Sequence, residues 1–128
     1  MIDHIGIAVK SLDSAVKRWE TILGIKADMI SEVKSQAVKV AFFGTENGKI
    51  ELLEPTKNDS PVRKFLDKKG EGVHHIAIRT KNLNSLIDKL RKDNQEIAEP
   101  FVGAEGARVT FIHPKYSNGV LIELVEIK

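Results

Sequence analysis

Two short stretches of this chain alternate large apolar residues with small or polar ones at a strict period of two. In residues 4–9, Ile5, Ile7 and Val9 fall on one face and His4, Gly6 and Ala8 on the other. Residues 75–80 repeat the arrangement, with Ile76 and Ile78 opposite His75 and Ala77. Period two is the signature of a half-buried strand. The bulky face should pack on helices, and the face with the histidine, lined by small side chains, leaves room for close approach.

Each of these strands runs into a helical pattern. Leu12, Ala15, Val16, Trp19, Ile22 and Leu23 keep the three-four spacing of one buried stripe, and Gly24 is a natural stop. Leu83, Leu86, Ile87 and Leu90 form the second stripe, beginning after Asn82 as N-cap. Further strand-like stretches fill out each half: residues 25–31, Val38–Phe43 and Lys49–Leu53 in the first, Val109–His113 and Val120–Val125 in the second. Turns rich in Asn and Gly, 45–48 and 116–119, join the last two strands of each half. Between the halves, Ser60-Pro61 reads as an N-cap followed by proline at the first helical position, and Gly70 as a C-cap. Val62, Phe65 and Leu66 would face the core.

The pattern therefore predicts an α+β protein of two tandem βαβββ modules. Module one takes residues 1–54, a connecting helix lies in 55–73, and module two takes 74–128, all within a single domain. Pairing about a pseudo-twofold axis would join the modules into one curved mixed sheet.

The 128 residues suffice for one hydrophobic core, and 41% hydrophobic with 30% charged residues is an ordinary globular composition. A net charge of +2, with basic residues scattered, gives no footprint for nucleic acid. No apolar run approaches the roughly 20 residues of a membrane span, and no signal-peptide pattern opens the chain. The absence of cysteine removes disulfides, thiolate nucleophiles and soft metal sites. The expectation is a cytoplasmic protein.

The chemistry lies in the repeat. Ile50-Glu51-Leu52-Leu53-Glu54 is matched by Ile122-Glu123-Leu124-Val125-Glu126. The histidines lie 71 positions apart (4 to 75) and the glutamates 72 (51 to 123). By strand parity His4, Glu51, His75 and Glu123 all turn to the faces that would meet between the modules. Two imidazoles and two carboxylates there make a divalent-metal site with open positions for water or substrate. Nitrogen and oxygen donors suit cobalt(II), manganese(II), nickel(II), iron(II) or zinc. Glu54 and Glu126 have the opposite parity and read as strand-end surface charges. His74 falls on the face opposite His75 and is given no metal role, and His113, at a strand end, reads as structural.

Paired modules around a His/Glu site resemble the vicinal oxygen chelate superfamily, which includes glyoxalase I, extradiol dioxygenases and antibiotic-resistance proteins. Within it the chain is most similar to the methylmalonyl-CoA epimerase family, over essentially its whole length. The resemblance is carried by Asp3-His4-Ile5-Gly6-Ile7-Ala8-Val9, Lys49-Ile50-Glu51-Leu52-Leu53-Glu54-Pro55 and Asp59-Ser60-Pro61. Gly70-Glu71-Gly72-Val73-His74-His75-Ile76-Ala77, Phe111-Ile112-His113-Pro114-Lys115 and Gly119-Val120-Leu121-Ile122-Glu123-Leu124 complete it. It implies metal ligands at His4, His75 and Glu123, with Glu51 where members carry Gln or Glu. It also implies Glu123 as one catalytic acid–base, cobalt(II) or manganese(II) as the favoured metal with nickel(II) or zinc as alternatives, an acyl-CoA substrate and a homodimer. The implied reaction is inversion at C2 of methylmalonyl-CoA.

One position departs from the family. Where members carry an acid just before a Gln, this chain has Ser35 before Gln36. Glu32, Glu105 or a different chemistry could fill that gap. Two alternatives stand beside the epimerase reading: a glyoxalase-like lyase or isomerase acting on a thiol adduct, and a drug-sequestering binding protein without catalysis.

Overall fold

The computed structural model describes residues 1–128. Each half builds the expected βαβββ unit. In the first, β1 (Ile2–Ala8) leads through α1 (Leu12–Leu23) to β2 (Met29–Val33), β3 (Val38–Phe43) and β4 (Lys49–Pro55). After α2 (Pro61–Lys69), the second half has β5 (Gly72–Thr80), α3 (Leu83–Lys92), β6 (Phe101–Val102), β7 (Arg108–Ile112) and β8 (Ile122–Glu126). The eight strands form one mixed sheet in the order β2-β3-β4-β1-β5-β8-β7-β6. β1 pairs with β4, and β5 with β8, in parallel. The two halves join through the antiparallel β1–β5 ladder at the centre. The result is the single curved mixed sheet of two paired modules that the repeat predicts.

Parity along the strands divides the core into two layers. Ile7, Ile50 and Leu52 face outward onto α1, through Leu12, Ala15, Val16 and Trp19. Ile78, Ile122 and Leu124 meet Leu83, Leu86, Ile87 and Leu90 of α3 in the same way. The inner face of the first half gathers Val38, Val40, Phe42 and Leu53 against Val62 and Leu66 of α2. That helix keeps the sequence signals read for it, with the Ser60 hydroxyl accepting from Val62 N–H, Pro61 in the first turn and Gly70 at the C-cap.

Three local expectations change. The buried stripe of α1 ends at Trp19. Ile22 and Leu23 are 60% and 39% exposed, because the outer-face cluster takes no residue from the last helical turn. The strand placed at residues 25–31 begins only at Met29, its register set by pairing with Phe42 on β3. Glu54 and Glu126 are not surface charges. Their outward parity brings them under the helix starts, where Glu54 accepts from Leu12 N–H at 2.7 Å and Glu126 from Leu83 N–H at 3.1 Å. Both carboxylates satisfy an orphan donor at the positive end of a helix dipole, once per module.

Candidate metal centre

The inner faces of β1, β4, β5 and β8 bring His4, Glu51, His75 and Glu123 together. The first three are each only 3% exposed. His4 Nε2 lies 3.2 Å from His75 Nε2, 3.3 Å from Glu51 Oε1 and 3.8 Å from Glu123 Oε1. His75 Nε2 lies 3.2 Å from Glu51 Oε1 and 3.3 Å from Glu123 Oε1. Donors about 2.1 Å from a shared ion stand about 3.0 Å apart at right angles and about 3.4 Å apart at tetrahedral angles. The cluster has that spacing. It also has the right polarity: with each Nδ1 engaged elsewhere, both Nε2 atoms and both carboxylates point lone pairs at one spot. Glu51 Oε1 is buried there without a hydrogen-bond partner. Such a convergence of acceptors calls for a cation or a proton, so the residues fit a divalent metal.

Neighbouring groups show how much charge is at stake. His4 Nδ1 donates to Asp3 Oδ2 at 2.7 Å. Burial disfavours the His4 imidazolium, but the carboxylates of Asp3, Glu123 and Glu51 together outweigh it and hold the metal-free His4 up at about 11. Burial pushes the Glu51 carboxyl upward, and the two imidazoles overcome this and bring it down to about 2. The hydrogen bond from His4 holds Asp3 below its ordinary value against burial, with Lys49, 3.3 Å away, helping.

Gly6 makes room for this arrangement. It sits opposite His75 across the β1–β5 ladder, and the His75 ring occupies the space a Gly6 side chain would take. Sequence parity had marked that face as open to close approach; what approaches is the second histidine.

The cluster forms the floor of a cavity of about 290 Å³ with mainly apolar walls, among them Val40, Leu53, Val109 and Phe111. Gln36 and Glu105 also line it. Ser35 and Glu32 are exposed and take no part in the lining. Glu105 reaches over from the β6–β7 loop, 3.6 Å from the buried Lys49 ammonium. Ala104 of the same loop packs on the inner cluster of the first module. His113 is outside the site, where its Nδ1 accepts from Lys115 N–H and caps a short turn.

Sequence reasoning missed Asp3, Lys49 and His74. His74 is turned inward: its Nδ1 is 3.0 Å from His75 Nδ1 and its ring lines the cavity. Burial, assisted by the adjacent His75, pushes His74 down to about 4, so it stays neutral. The available signal was positional, since Asp3 and His74 each stand one residue before a repeated histidine.

Comparison with known proteins identifies the family. The family model described as Glyoxalase/Bleomycin resistance protein/Dioxygenase superfamily matches residues 3–111. The chain is 43% identical over 129 residues to the Bacillus subtilis protein YqjC, whose function is uncharacterised, covering 99% of this chain and 92% of that one. It is 38% identical to the mitochondrial methylmalonyl-CoA epimerase of Homo sapiens over 96% of this chain and 72% of that one. A Streptomyces coelicolor methylmalonyl-CoA epimerase variant in complex with 2-nitronate-propionyl-CoA superposes with a TM-score of 0.92 at 38% identity, over 98% and 92% of the two chains. With its repeated modules, central β1–β5 ladder and His/Glu cluster, the chain belongs to the glyoxalase/bleomycin resistance/dioxygenase superfamily and, within it, to the methylmalonyl-CoA epimerase family.

Proposed function

We propose that this protein inverts methylmalonyl-CoA at C2, with His4, Glu51, His75 and Glu123 holding a divalent cation. The observation that carries the reading is the four-donor cluster at the floor of an apolar cavity. It is supported by the relative that binds 2-nitronate-propionyl-CoA, since a nitronate spreads its negative charge over planar atoms as an enolate does.

Held by His4, Glu51, His75 and Glu123, a cation (cobalt(II) or manganese(II) by family resemblance, nickel(II) or zinc as alternatives) would supply Lewis-acid stabilisation of negative charge developing on the thioester oxygen. The chain's own residues do the rest. Apolar walls exclude water from the reacting carbon and strengthen every electrostatic contact at the floor. Glu123 takes the α-proton from one face of C2. Inversion then needs a donor on the other face. Of the groups that could return the proton, Glu32 and Ser35 lie outside the cavity lining, whereas Glu105, itself exposed at the rim, belongs to it, and we assign that part to Glu105.

The test is α-proton exchange: incubate protein and methylmalonyl-CoA in deuterated water and follow C2 deuteration by mass spectrometry. Exchange that a chelator abolishes and added metal restores supports the reading. No exchange at full metal occupancy would remove it.

A further inference from the structure

The β1–β5 ladder carries two register breaks, and their positions are informative. On β1, Ile2 pairs with Ile78 and His4 with Ala77, so Asp3 is an extra residue with no partner. On β5, His75 pairs with Gly6 and Val73 with Ile7, so His74 is the extra residue. Each module thus has a β-bulge one position before its repeated histidine. A bulge re-aims side chains that a regular strand would send to opposite faces. Here it lets residue and predecessor meet: Asp3 Oδ2 is 2.7 Å from His4 Nδ1, and His74 Nδ1 is 3.0 Å from His75 Nδ1.

From this juxtaposition we infer that Asp3 and His74 are the positioning residues of the metal centre, one per module, each delivered by its bulge to the Nδ1 of the following histidine. The inference rests on the metal reading above. A histidine that binds metal through Nε2 has its hydrogen on Nδ1, and an acceptor there fixes both tautomer and ring orientation. Asp3 is itself anchored, since Lys49 Nζ lies 3.3 Å from its other oxygen. His74 is braced edge-on against Phe65 of α2, ring centroids 5.0 Å apart. The two supports differ in kind. Asp3 offers a carboxylate oxygen and makes His4 the more strongly donating ligand, whereas His74 offers an imidazole nitrogen and supplies orientation alone.

The test uses the full chain and zinc. Wild type, Asp3→Ala, Asp3→Asn, His74→Ala and His74→Gln are titrated by chelator competition. The Nδ1–H resonances of the ligand histidines are then followed by NMR in the zinc-loaded proteins. Asp3→Ala and His74→Ala should each bind zinc about 10–100-fold more weakly than wild type. Asp3→Asn and His74→Gln, which retain an acceptor, should recover part of the loss and serve where the alanine variants fold poorly. The decisive readout is selectivity: Asp3 variants should shift the His4 Nδ1–H resonance and leave that of His75, and His74 variants the reverse. Wild-type zinc affinity in all four variants, or a disturbance of both histidines by either substitution, would overturn the positioning role while leaving the metal centre standing. Failure of the wild type to bind one zinc would instead overturn the centre, and the positioning role with it.

Discussion

Replacing Gly6 by alanine probes the centre without touching a candidate ligand. A methyl group built on Gly6 would collide first with Cε1 of His75 and sit 2.5 Å from its Nδ1 and 2.6 Å from its Nε2, far inside contact distance of the imidazole ring. The Gly6 backbone is not in the left-handed region, so alanine costs nothing in φ and the whole penalty is the clash. Ordinary contact distances are about 3.5–4.0 Å, so the ring must retreat by about 1.5 Å or more. Metal ligands tolerate displacements of about 0.2 Å. His75 would therefore leave the cluster, and manganese(II) or zinc should bind at least about 100-fold more weakly, beyond the usual loss of an outer-shell partner. Overpacking costs about 1–3 kcal/mol, offset by about 0.5–1 kcal/mol for removing a strand glycine. The net of about 1–2 kcal/mol should lower Tm by about 3–10 °C. The control is Ala77→Gly, at the matching place in the second module and paired with His4. It displaces no ring and should keep metal affinity while costing about 1 kcal/mol. Calorimetric titration with metal and thermal unfolding read both effects. A Gly6→Ala protein with wild-type metal affinity would refute the steric reasoning.

Other consequences are equally open to measurement. Glu123→Gln should cut C2 deuteration by about 10²–10⁴-fold, the usual worth of a general base, and a variant that exchanges at the wild-type rate would take that role from Glu123. Because the metal-free His4 is held up at about 11, it carries a proton at neutral pH that a cation must expel. Apparent metal affinity should therefore rise about tenfold per pH unit between pH 6 and 8, roughly one proton being released per ion. Calorimetry in buffers of different ionisation enthalpy counts that proton, and a pH-independent affinity would contradict it. Glu54→Ala should cost about 1 kcal/mol by uncapping α1 at Leu12 N–H, with metal affinity unchanged. Loss of metal binding in that variant would show that the cap does more than hold the helix.

What the sequence disclosed and what it withheld follow from one assumption, that alternation continues unbroken along a strand. Where it does, as at Glu51 between Ile50 and Leu52, parity alone places the side chain on the inner face with Leu53 and the neighbours on α1. The convergence of four residues was legible for that reason. At Asp3 and His74 the alternation breaks at a bulge, which depends on the partner strand and leaves no local trace in composition. His74 was accordingly assigned to the wrong face. Glu54 and Glu126 had the right parity, but their duty depends on where the following helix begins in space. Ile22 and Leu23 fit a helical stripe, yet periodicity cannot tell how far the surface beneath a helix extends.

The most direct measurement starts from a single C2 epimer of methylmalonyl-CoA and follows its conversion to the mixture of both epimers by chromatography that resolves them. It compares metal-loaded, chelated and metal-restored protein, with the hemithioacetal of methylglyoxal and a thiol as the parallel substrate. The account predicts epimerisation with metal, none after chelation, recovery on restoration, and no turnover of the hemithioacetal. Turnover of the hemithioacetal with methylmalonyl-CoA left unchanged would contradict it, and would move this centre from epimerase to glyoxalase-like chemistry.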